Sequence, residues 1–490
     1  MAKIAVIGAG FSGLSAASYL AKTGHEVTVY EKNEGIGGRA RQLKVDGFTF
    51  DMGPSWYWMP DVIERFFNDF GKSASDYYQL ERLDPGYEVY FGVEDSIKIS
   101  ASKEKIFAAF EKEEYGSSRF LKKFLDDSAF NYQAAMSSVV YKPGKSPLEL
   151  VTWATVKRIR QFFTSISGVV RKHIKSEKLA QILEFPVLFL GAKPEKTPAF
   201  YCLMNHADMN LGTWYIKGGF FELVKAMASL AESLGVKIET NSPVSEILLE
   251  QRSIKGILVN GKKREVDFVI SSADYHHTEM MLDKKLRNYS DRYWKSRVMA
   301  PSALLFYVGF DRKIKNVSHH TLFFDTSFKE HASKIYDNPG WPEKPLFYAS
   351  FTSITDTSVA PEGKENAVFL IPLAPGIDDT PELRDKYFDQ IINRMEKMIK
   401  QNISDAVILK KSYCISDFER DYNAFRGNAY GLANILLQTG FLKPRLESKK
   451  IRNLMYTGQL SVPGPGVPPS LISGKIAAEL VLSKLKKLNS

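Results

Sequence analysis

The chain has 490 residues, of which 44% are hydrophobic and 25% are charged. This length exceeds what one hydrophobic core normally organises, and the composition is that of an ordinary globular protein, so two or three folded domains are expected and general disorder is excluded. The formal net charge is +10, and a basic surface that meets an anionic partner therefore has to be considered.

Signals for export or membrane insertion are not expected. A strand pattern begins at Lys3, which leaves no room for a signal peptide before it. A transmembrane helix needs about 18 consecutive apolar residues, and the densest apolar run, Phe185–Leu190, is much shorter. Cys202 and Cys414 lie far apart and outside any metal-ligand spacing, so they are predicted to be structural thiols in a reducing cytoplasm.

The N-terminal segment has the pattern of a dinucleotide site. Residues 3–7 are predicted to form a buried strand, which Gly8, Gly10 and Gly13 follow. In such a turn Gly8 permits the tight bend, Gly10 lets a pyrophosphate approach the backbone, and Gly13 lets the next helix pack closely on the strand. The helix then points its free N–H groups at the phosphates. A second strand is predicted to end on Glu31, whose carboxylate would accept hydrogen bonds from ribose hydroxyls.

The residues after Glu31 depart from the pattern of an NAD-binding domain. An NAD-binding domain would normally continue into another helix and parallel strand. This chain instead continues into Gly38 and Arg39, with Arg39 expected to pair with a phosphate, and then into a predicted hairpin over 41–45 and 48–51 with a two-residue turn.

Six motifs spread along the chain carry a family resemblance: Gly37-Gly-Arg39, Asp51-Met-Gly-Pro-Ser55, Trp214-Tyr-Ile-Lys-Gly-Gly-Phe220, Ala273-Asp-Tyr-His-His-Thr278, Asn428-Ala-Tyr-Gly-Leu432 and Pro463-Gly-Pro-Gly-Val-Pro468. Together they resemble the bacterial-type phytoene desaturases, members of the carotenoid desaturase family of FAD-dependent oxidoreductases. The segment from Ser55 to Asp61 is similar to the version in Bacteroidetes, and its Trp56, Tyr57 and Trp58 are expected to line a cavity that faces the flavin. The segment 458–464 departs from the family because it lacks the usual Thr-His pair.

The resemblance implies an α/β fold with a Rossmann-like FAD-binding domain, a discontinuous sheet-bearing substrate domain and a helical membrane-associating part. The expected limits are 1–75, 214–282 and 421–490 for the FAD-binding domain, 76–110 and 283–420 for the substrate domain, and 111–213 for the helical part. Alternation and turn residues predict an antiparallel meander of strands at 244–250, 254–259 and 266–271. Substrate-domain strands are expected at 300–310 and 367–373, and a C-terminal helix at 470–485.

The resemblance also implies which residues hold FAD. They are Gly8, Gly10, Phe11, Ser12, Gly13, Glu31, Lys32, Gly38, Arg39, Gly53, Pro54, Ser55, Val244, Gly458, Gly466, Val467 and Pro468. Val244 is expected either to offer its backbone to adenine or to serve only as strand core. N–H groups at the start of the C-terminal helix are expected to approach the flavin ring. No metal is expected, because the His276-His277 and His319-His320 pairs lack a third ligand at a recognisable spacing.

The implied activity is desaturation of a linear C40 carotenoid, with phytoene as the expected substrate on the way to neurosporene or lycopene. The simplest mechanism is hydride transfer to flavin N5 followed by proton loss, with quinone or oxygen as the electron acceptor. His206 and Glu149 are the candidate proton acceptors. The alternatives are a desaturase of a later or hydroxylated carotenoid, a redox-neutral carotenoid isomerase and a flavin amine oxidase.

Residues 141–180 carry much of the excess positive charge. Nine lysines and arginines stand there against two glutamates, interleaved with apolar residues. A basic amphipathic surface is suited to an anionic membrane, in which a C40 hydrocarbon is dissolved. The predicted location is cytoplasmic and peripheral to the inner membrane, with Phe185–Leu190 lining the channel mouth. A solvated basic helix pair is the alternative, and nucleic acid is not an expected partner because no nucleic-acid module accompanies the patch.

Overall fold

The computed structural model describes residues 1–489, without the side chains of Ser138, Phe189, Leu190 and Asn489. The strands are β1 (Lys3–Ile7), β2 (Glu26–Tyr30), β3 (Gln42–Val45), β4 (Phe48–Asp51), β5 (Leu80–Arg82), β6 (Tyr87–Gly92), β7 (Asp95–Ile99), β8 (Trp214–Ile216), β9 (Lys237–Glu239), β10 (Val244–Glu250), β11 (Ser253–Val259), β12 (Lys262–Arg264), β13 (Phe268–Ser271), β14 (Ser302–Phe310), β15 (His320–Phe323), β16 (Phe347–Ser350), β17 (Glu365–Leu373), β18 (Val407–Tyr413) and β19 (Leu454–Tyr456). The α-helices are α1 (Phe11–Ala21), α2 (Pro60–Asn68), α3 (Lys103–Glu113), α4 (Ser117–Ala134), α5 (Trp153–Lys157), α6 (Arg160–Phe163), α7 (Ile166–His173), α8 (Glu177–Glu184), α9 (Leu203–Asn205), α10 (Phe221–Ser233), α11 (Tyr275–Met280), α12 (Asp291–Lys295), α13 (Phe328–Tyr336), α14 (Pro381–Ile399), α15 (Ile415–Tyr422) and α16 (Val467–Asn489).

A five-stranded parallel sheet in the order β19-β13-β1-β2-β9 joins the two ends and the middle of the chain. The expected sequence of strand, glycine turn, helix and strand is confirmed as β1, α1 and β2. Helix α16 packs on α1 with unusually little space, since a Cβ on Gly474 would lie 2.3 Å from the carbonyl oxygen of Ser12. The start of α16 is thereby fixed beside the glycine turn.

A seven-stranded mixed sheet in the order β18-β14-β17-β16-β15-β6-β7 forms the second layer. Its long central strands β14 and β17 confirm the strands expected at 300–310 and 367–373. Both faces are covered: Phe306 and Val308 pack in the core that contains α14, whereas Leu305 and Tyr307 pack against the β3–β4 hairpin. The sheet therefore presents one buried face toward the N-terminal hairpin and the glycine turn.

The predicted meander is only partly correct. Strands β10 and β11 are antiparallel as expected, but the third strand is the exposed, charged β12 and not residues 266–271. The apolar β13 lies between β1 and β19 in the parallel sheet. Hydrophobicity alone misassigned the third strand, because an edge strand that faces solvent has no apolar alternation to detect.

Residues 103–210 form a mainly helical region from α3 to α9. The basic stretch at 141–180 consists of the short helices α5 to α8 rather than one helix pair, because Thr152, Ser165 and Ser176 each cap a new helix with a side-chain oxygen. Within residues 1–489, no helix combines the length and apolarity that a membrane-spanning helix requires.

The C-terminal helix α16 begins at Val467, three residues earlier than expected. Pro468 and Pro469 stand in its first turn, where a missing N–H leaves no helical hydrogen bond unmade. The prediction had treated these prolines as part of the preceding loop.

Candidate functional site

A cavity of about 720 Å³ lies where the carboxyl ends of the parallel strands meet the mixed sheet. One part of the cavity lies at the ends of the parallel strands and is called the polar half. It is lined by Gly8, Gly10, Phe11, Ser12, Glu31, Lys32, Gly38, Arg39, Val244, Asp274, Asp421, Gly458, Gly466, Val467 and Pro468. The other part is lined mainly by aromatic and aliphatic side chains and is called the apolar half. It is lined by Trp56, Trp58, Met59, Phe185, Leu188, Met204, Leu305, Leu322, Phe324, Phe328, His331, Ala332, Ile335, Tyr336, Leu346, Phe347, Tyr348, Leu370, Pro372 and Tyr430. Gly53, Pro54 and Ser55 line the cavity between the two. The carboxyl ends of parallel strands are the usual place for a ligand in such sheets.

The three glycines of the first turn have the three predicted geometries. Gly8 has φ +98°, which favours glycine, and its N–H donates to the Tyr30 carbonyl at 2.8 Å. A Cβ on Gly10 would meet nothing within 4 Å, so its backbone is open to a ligand. A Cβ on Gly13 would lie 2.1 Å from the Gly8 oxygen, which explains why α1 can pack so closely there.

Glu31 follows β2 and is almost fully buried. Its Oε2 accepts a hydrogen bond from the Ala9 N–H at 2.9 Å, and its Oε1 accepts from the backbone N–H of Asn33 at 3.0 Å. The carboxylate is therefore fixed against the glycine turn before any ligand binds. Lys32 beside it donates from Nζ to the Arg420 carbonyl at 2.7 Å.

The backbone of Arg39 packs against the segment that contains Gly53. A Cβ on Gly53 would lie 2.1 Å from the Arg39 carbonyl, so only glycine fits there. The guanidinium donates from Nη2 to the Asn428 carbonyl at 3.0 Å, whereas its buried Nε has no hydrogen-bond partner among the described residues. Burial lowers the pKa of Arg39. A half-buried cation with an unused donor beside an open glycine backbone fits a phosphate anion.

The C-terminal loop closes the polar half. Gly458, Gly464 and Gly466 have φ of +104°, +140° and +111°, so the backbone turns there as side-chain-bearing residues rarely allow. Helix α16 starts at this loop and directs its N-terminus to the cavity. Since Pro468 and Pro469 have no N–H, the donors near the helix start are reduced to those of Gly466 and Val467, fewer than the sequence analysis assumed.

Sixteen of the seventeen residues expected at FAD line this cavity, and Gly13, which supports the turn from behind, is the exception. Their side chains and backbone groups fit a dinucleotide, with an acid for ribose, an open glycine turn and a half-buried arginine for the diphosphate, and a helix N-terminus for the ring.

The apolar half has an aromatic wall at the expected segment, but Tyr57 does not belong to it. Trp56 and Trp58 line the cavity with ring centroids 5.3 Å apart. Tyr57 points the other way, where its hydroxyl lies 2.8 Å from that of Tyr78. The extended chain alternates its side chains between two faces, so the three aromatic residues cannot share one.

Of the segment Phe185–Leu190, Phe185 and Leu188 line the apolar half, whereas the side chains of Phe189 and Leu190 lie outside the described residues. One face of α13, formed by Phe328, His331, Ala332 and Ile335, also lines the wall. The sequence analysis missed this helix, although the spacing i, i+3, i+4, i+7 signals a single helical face.

The two candidate proton acceptors are not at the cavity. His206 pairs through Nδ1 with the Asn210 side chain at 2.7 Å and packs on Tyr132. Glu149 accepts hydrogen bonds from the backbone N–H groups of Gly144 and Lys145 and so closes its own loop. Neither lines the cavity, so the geometry does not support a catalytic role for either.

Comparison with known proteins agrees with this geometry. A model of the flavin containing amine oxidoreductase family matches residues 11–482. The chain is 39% identical over 488 residues to the carotenoid 3,4-desaturase of Haloarcula japonica, with 98% of each chain covered. It is 32% identical over 497 residues to the 4,4'-diapophytoene desaturase (4,4'-diaponeurosporene-forming) of Staphylococcus haemolyticus, with 99% of each covered. The structure of an oxidoreductase from Methanosarcina mazei shares the fold with a TM-score of 0.63 at 18% identity, over 97% of this chain and 100% of that one.

Proposed function

The chain belongs to the flavin-containing amine oxidoreductases and, within them, to the carotenoid desaturases, and from this premise we propose that it introduces the 3,4 double bond into a carotenoid. It is an FAD-dependent oxidoreductase. The observation that carries the proposal is the continuity of the two halves: one cavity joins a dinucleotide cradle to an aromatic, apolar wall. The relative at 39% identity, named for 3,4-desaturation, supports the choice of bond.

In this protein Glu31 would hold the ribose, the open backbone at Gly10 and the guanidinium of Arg39 the diphosphate, and the start of α16 the flavin ring. Bound FAD supplies the two-electron acceptor for dehydrogenation. The N-terminus of α16 adds roughly half a positive charge near the ring, which favours an electron-rich state of the ring.

The apolar half suits a substrate without polar handles. Burial of hydrocarbon is worth roughly 25 cal/mol per Å², so aromatic and aliphatic walls can hold a polyene without hydrogen bonds. Among the described residues, the acidic side chains that line the cavity are Glu31, Asp274 and Asp421, all in the polar half. An amine substrate would find no carboxylate in the apolar half, which argues against an amine oxidase.

Phytoene, desaturated towards neurosporene or lycopene, is the second candidate substrate. The motif resemblance to bacterial-type phytoene desaturases, including the Bacteroidetes-like segment at Ser55, favours it, as does the similarity to a diapophytoene desaturase. A desaturase of hydroxylated carotenoids and a redox-neutral carotenoid isomerase are the remaining candidate functions for this cavity.

Expression in two pigment backgrounds tests the proposal. In cells that accumulate lycopene we expect the pigment spectrum to shift to longer wavelength, with a product two hydrogens lighter for each bond formed. In cells that accumulate phytoene we expect no colour. Colour in the phytoene strain alone would replace the 3,4-desaturase with a phytoene desaturase, and a changed cis/trans geometry without loss of hydrogen would indicate an isomerase.

A pair of glycine variants ties the product to the cofactor. Gly10→Trp should abolish both FAD binding and pigment change, because the indole fills the open side of the turn. Gly35→Trp is the matched control, since Gly35 is exposed, does not line the cavity, and a Cβ there would meet nothing within 4 Å. Pigment formation by a Gly10→Trp protein that holds no flavin would contradict FAD-dependent desaturation.

The same proposal places the protein on the cytoplasmic face of the inner membrane, as a peripheral protein that passes electrons to a membrane quinone or to oxygen. Leu148, Trp153 and Phe163 each expose 76% of their surface, and Leu437 exposes 73%. The segment that contains Leu437 lies next to the segment that contains Leu148, since a Cβ on Gly440 would contact the Leu150 side chain. Exposed aromatic and aliphatic residues next to lysines and arginines favour docking on anionic lipid.

Vesicle flotation tests the location. The double variant Trp153→Ser/Phe163→Ser should release most of the protein from vesicles that contain phosphatidylglycerol, with little change in melting temperature. Tyr115→Ser is the matched control, because Tyr115 is 95% exposed but lies outside this stretch. Equal flotation of both variants would overturn the docking surface.

A further inference from the structure

A chain of three polar side chains leads from the cavity into the mixed sheet. Ser55 and Tyr348 line the cavity, with Ser55 Oγ 2.9 Å from Tyr348 Oη. Tyr348 Oη lies 2.7 Å from Nδ1 of the buried His320. The pairing of β15 with β16 places His320 opposite Ser350, so Tyr348 is its diagonal neighbour on the same face. The neighbouring strands therefore fix a continuous hydrogen-bonded path.

The imidazole at the end of this path has a ring nitrogen without a hydrogen-bond partner in the described part of the chain, as does the adjacent His319. His320 Nε2 is buried and has no hydrogen-bond partner among the described residues. By contrast, His331 uses both ring nitrogens, with Nδ1 accepting from the Leu346 N–H and Nε2 facing the Pro372 carbonyl. Burial lowers the pKa of His320 well below its ordinary value. His320 is therefore uncharged in the resting protein, and one of its ring nitrogens is not committed to a structural hydrogen bond with the described residues.

The ring of His320 also has a partner suited to a positive charge. It stacks on Trp56 with a centroid distance of 4.1 Å and an interplanar angle of 13°. A cation over an indole face is attracted by the negative face of the ring. The His319 ring lies 4.5 Å away, and its Nδ1 is 2.7 Å from the hydroxyl of half-buried Thr355, which leads toward the surface.

Desaturation has to dispose of a proton as well as an electron pair. Bound FAD would supply the two-electron acceptor that takes one substrate hydrogen together with its bonding electron pair. The C–H bond of the neighbouring carbon then breaks, its electron pair becomes the new π bond, and a proton is released. His206 and Glu149 lie away from the cavity and are not placed to accept it.

We propose that Ser55, Tyr348 and His320 form a proton relay that accepts this proton, an inference that rests on the proposed desaturase function. Ser55 Oγ takes the proton from the substrate carbon as its own proton passes to Tyr348 Oη, and the tyrosine proton passes to His320 Nδ1. The resulting imidazolium is stabilised against Trp56. Ser55 is the residue that touches the substrate, whereas Tyr348 and His320 act through it.

The test separates the two steps in time. FAD-loaded protein is mixed anaerobically with carotenoid, and flavin absorbance and product-polyene absorbance are followed together. In the Tyr348→Phe variant flavin reduction should stay within about threefold of wild type, whereas polyene formation should slow by about 100-fold, as loss of general-base help does. A slowing in D₂O that affects polyene formation in the wild type should be absent from the variant, since no relay protons then move.

Tyr90→Phe is the matched control. Tyr90 lies in the same sheet and donates to the Asn316 carbonyl at 2.7 Å, so the variant loses one hydrogen bond of the same kind without touching the path. If Tyr348→Phe does not fold, His320→Gln keeps a polar group but cannot hold the proton, and the same two signals are read. Synchronous flavin and polyene signals in these variants, at wild-type rates, would overturn the relay. Failure of wild-type flavin to be reduced by any carotenoid would overturn the desaturase function itself.

Discussion

The two halves of the cavity are built from different materials. Backbone and glycine form the polar half, together with a few fixed side chains such as Glu31 and Arg39. Large side chains form the apolar half, and most of them come from the segment before α2 with Trp56 and Trp58, from β14 to β17, from α13 and from the segment after α8. Backbone shape is specific to a cofactor that does not change, whereas a wall of side chains is adjusted to a substrate by substitution.

This difference predicts how each half fails. A change in the polar half acts on FAD binding and, because the turn supports α1 and α16, on folding. A change in the apolar half acts on substrate and on local stability, while the cofactor remains bound. Paired variants that violate this division would show that the halves are coupled.

The largest effect is expected for Gly13→Val. The new side chain starts 2.1 Å from the Gly8 carbonyl and 3.1 Å from Ser272 Cβ, and backbone cannot yield as a side chain does, so we expect destabilisation above about 3 kcal/mol. Flavin content and soluble yield should both fall to near zero. Gly35→Ala, at an exposed glycine with nothing within 4 Å, is the control. A flavin-replete Gly13→Val protein would refute the packing explanation.

Phe185→Ala should act on the other half. Phe185 is buried, lines the cavity and packs on Trp56 and Tyr87 at ring distances of 5.5 Å. Its loss should lower the free energy of unfolding by about 3 kcal/mol and raise the KM for carotenoid, with FAD affinity unchanged. Phe67→Ala is the matched control, because Phe67 is fully buried in a different core and does not line the cavity. An equal rise in KM for both variants would mean that stability alone explains it.

Sequence reasoning succeeded for the polar half because the requirements there are local. Gly8, Gly10 and Gly13 stand within six residues of one another, and Glu31 directly follows the next strand. Each of these residues meets a steric or hydrogen-bonding requirement of the glycine turn that can be recognised within a short stretch of sequence. The β3–β4 hairpin followed from a two-residue turn in the same way.

Most residues of the apolar half could not be predicted from the sequence. Tyr348 and His320 meet Ser55 across about 290 and 265 positions of chain, and an apolar strand such as β15 has the same pattern whether it faces a core or a cavity. Trp56 and Trp58 were found through a resemblance, and alternation along an extended segment would have removed Tyr57. The domain limits drawn from the sequence stay a prediction.

Glu31→Gln tests the polar half more gently. The amide keeps the shape but places one N–H₂ where both carboxylate oxygens accept hydrogen bonds from Ala9 and Asn33. The charged acceptor for the ribose hydroxyl is lost, and a hydrogen bond to a charged group is worth about 1.5–3 kcal/mol, so the Kd for FAD should rise about 10- to 100-fold by titration. Glu34→Gln, at an exposed acid three residues on, is the control. An unchanged Kd in Glu31→Gln would show that the ribose is not held there.

Asp208→Asn tests the hydrogen bond that holds Tyr87 in place behind Trp56. Tyr87, on which Trp56 packs, donates its hydroxyl proton to Asp208 Oδ2 at 2.8 Å, and burial raises the pKa of Asp208 to about 7. The unfolded carboxyl ionises near its ordinary pKa, so between that value and about pH 7 the folded state holds a proton that the unfolded state has lost. Stability should therefore fall as pH rises, by about 1.4 kcal/mol per pH unit for one proton.

In the Asp208→Asn variant the amide oxygen still accepts from Tyr87, but no proton is exchanged. The difference in free energy of unfolding between wild type and variant should therefore shrink or change sign between pH 5 and pH 7, and it should level off above about pH 7. Denaturant titrations of both proteins at each pH measure it. Parallel pH profiles would place the Asp208 carboxyl in water, and the support for Trp56 would then have to come from Phe185 and Tyr87 alone.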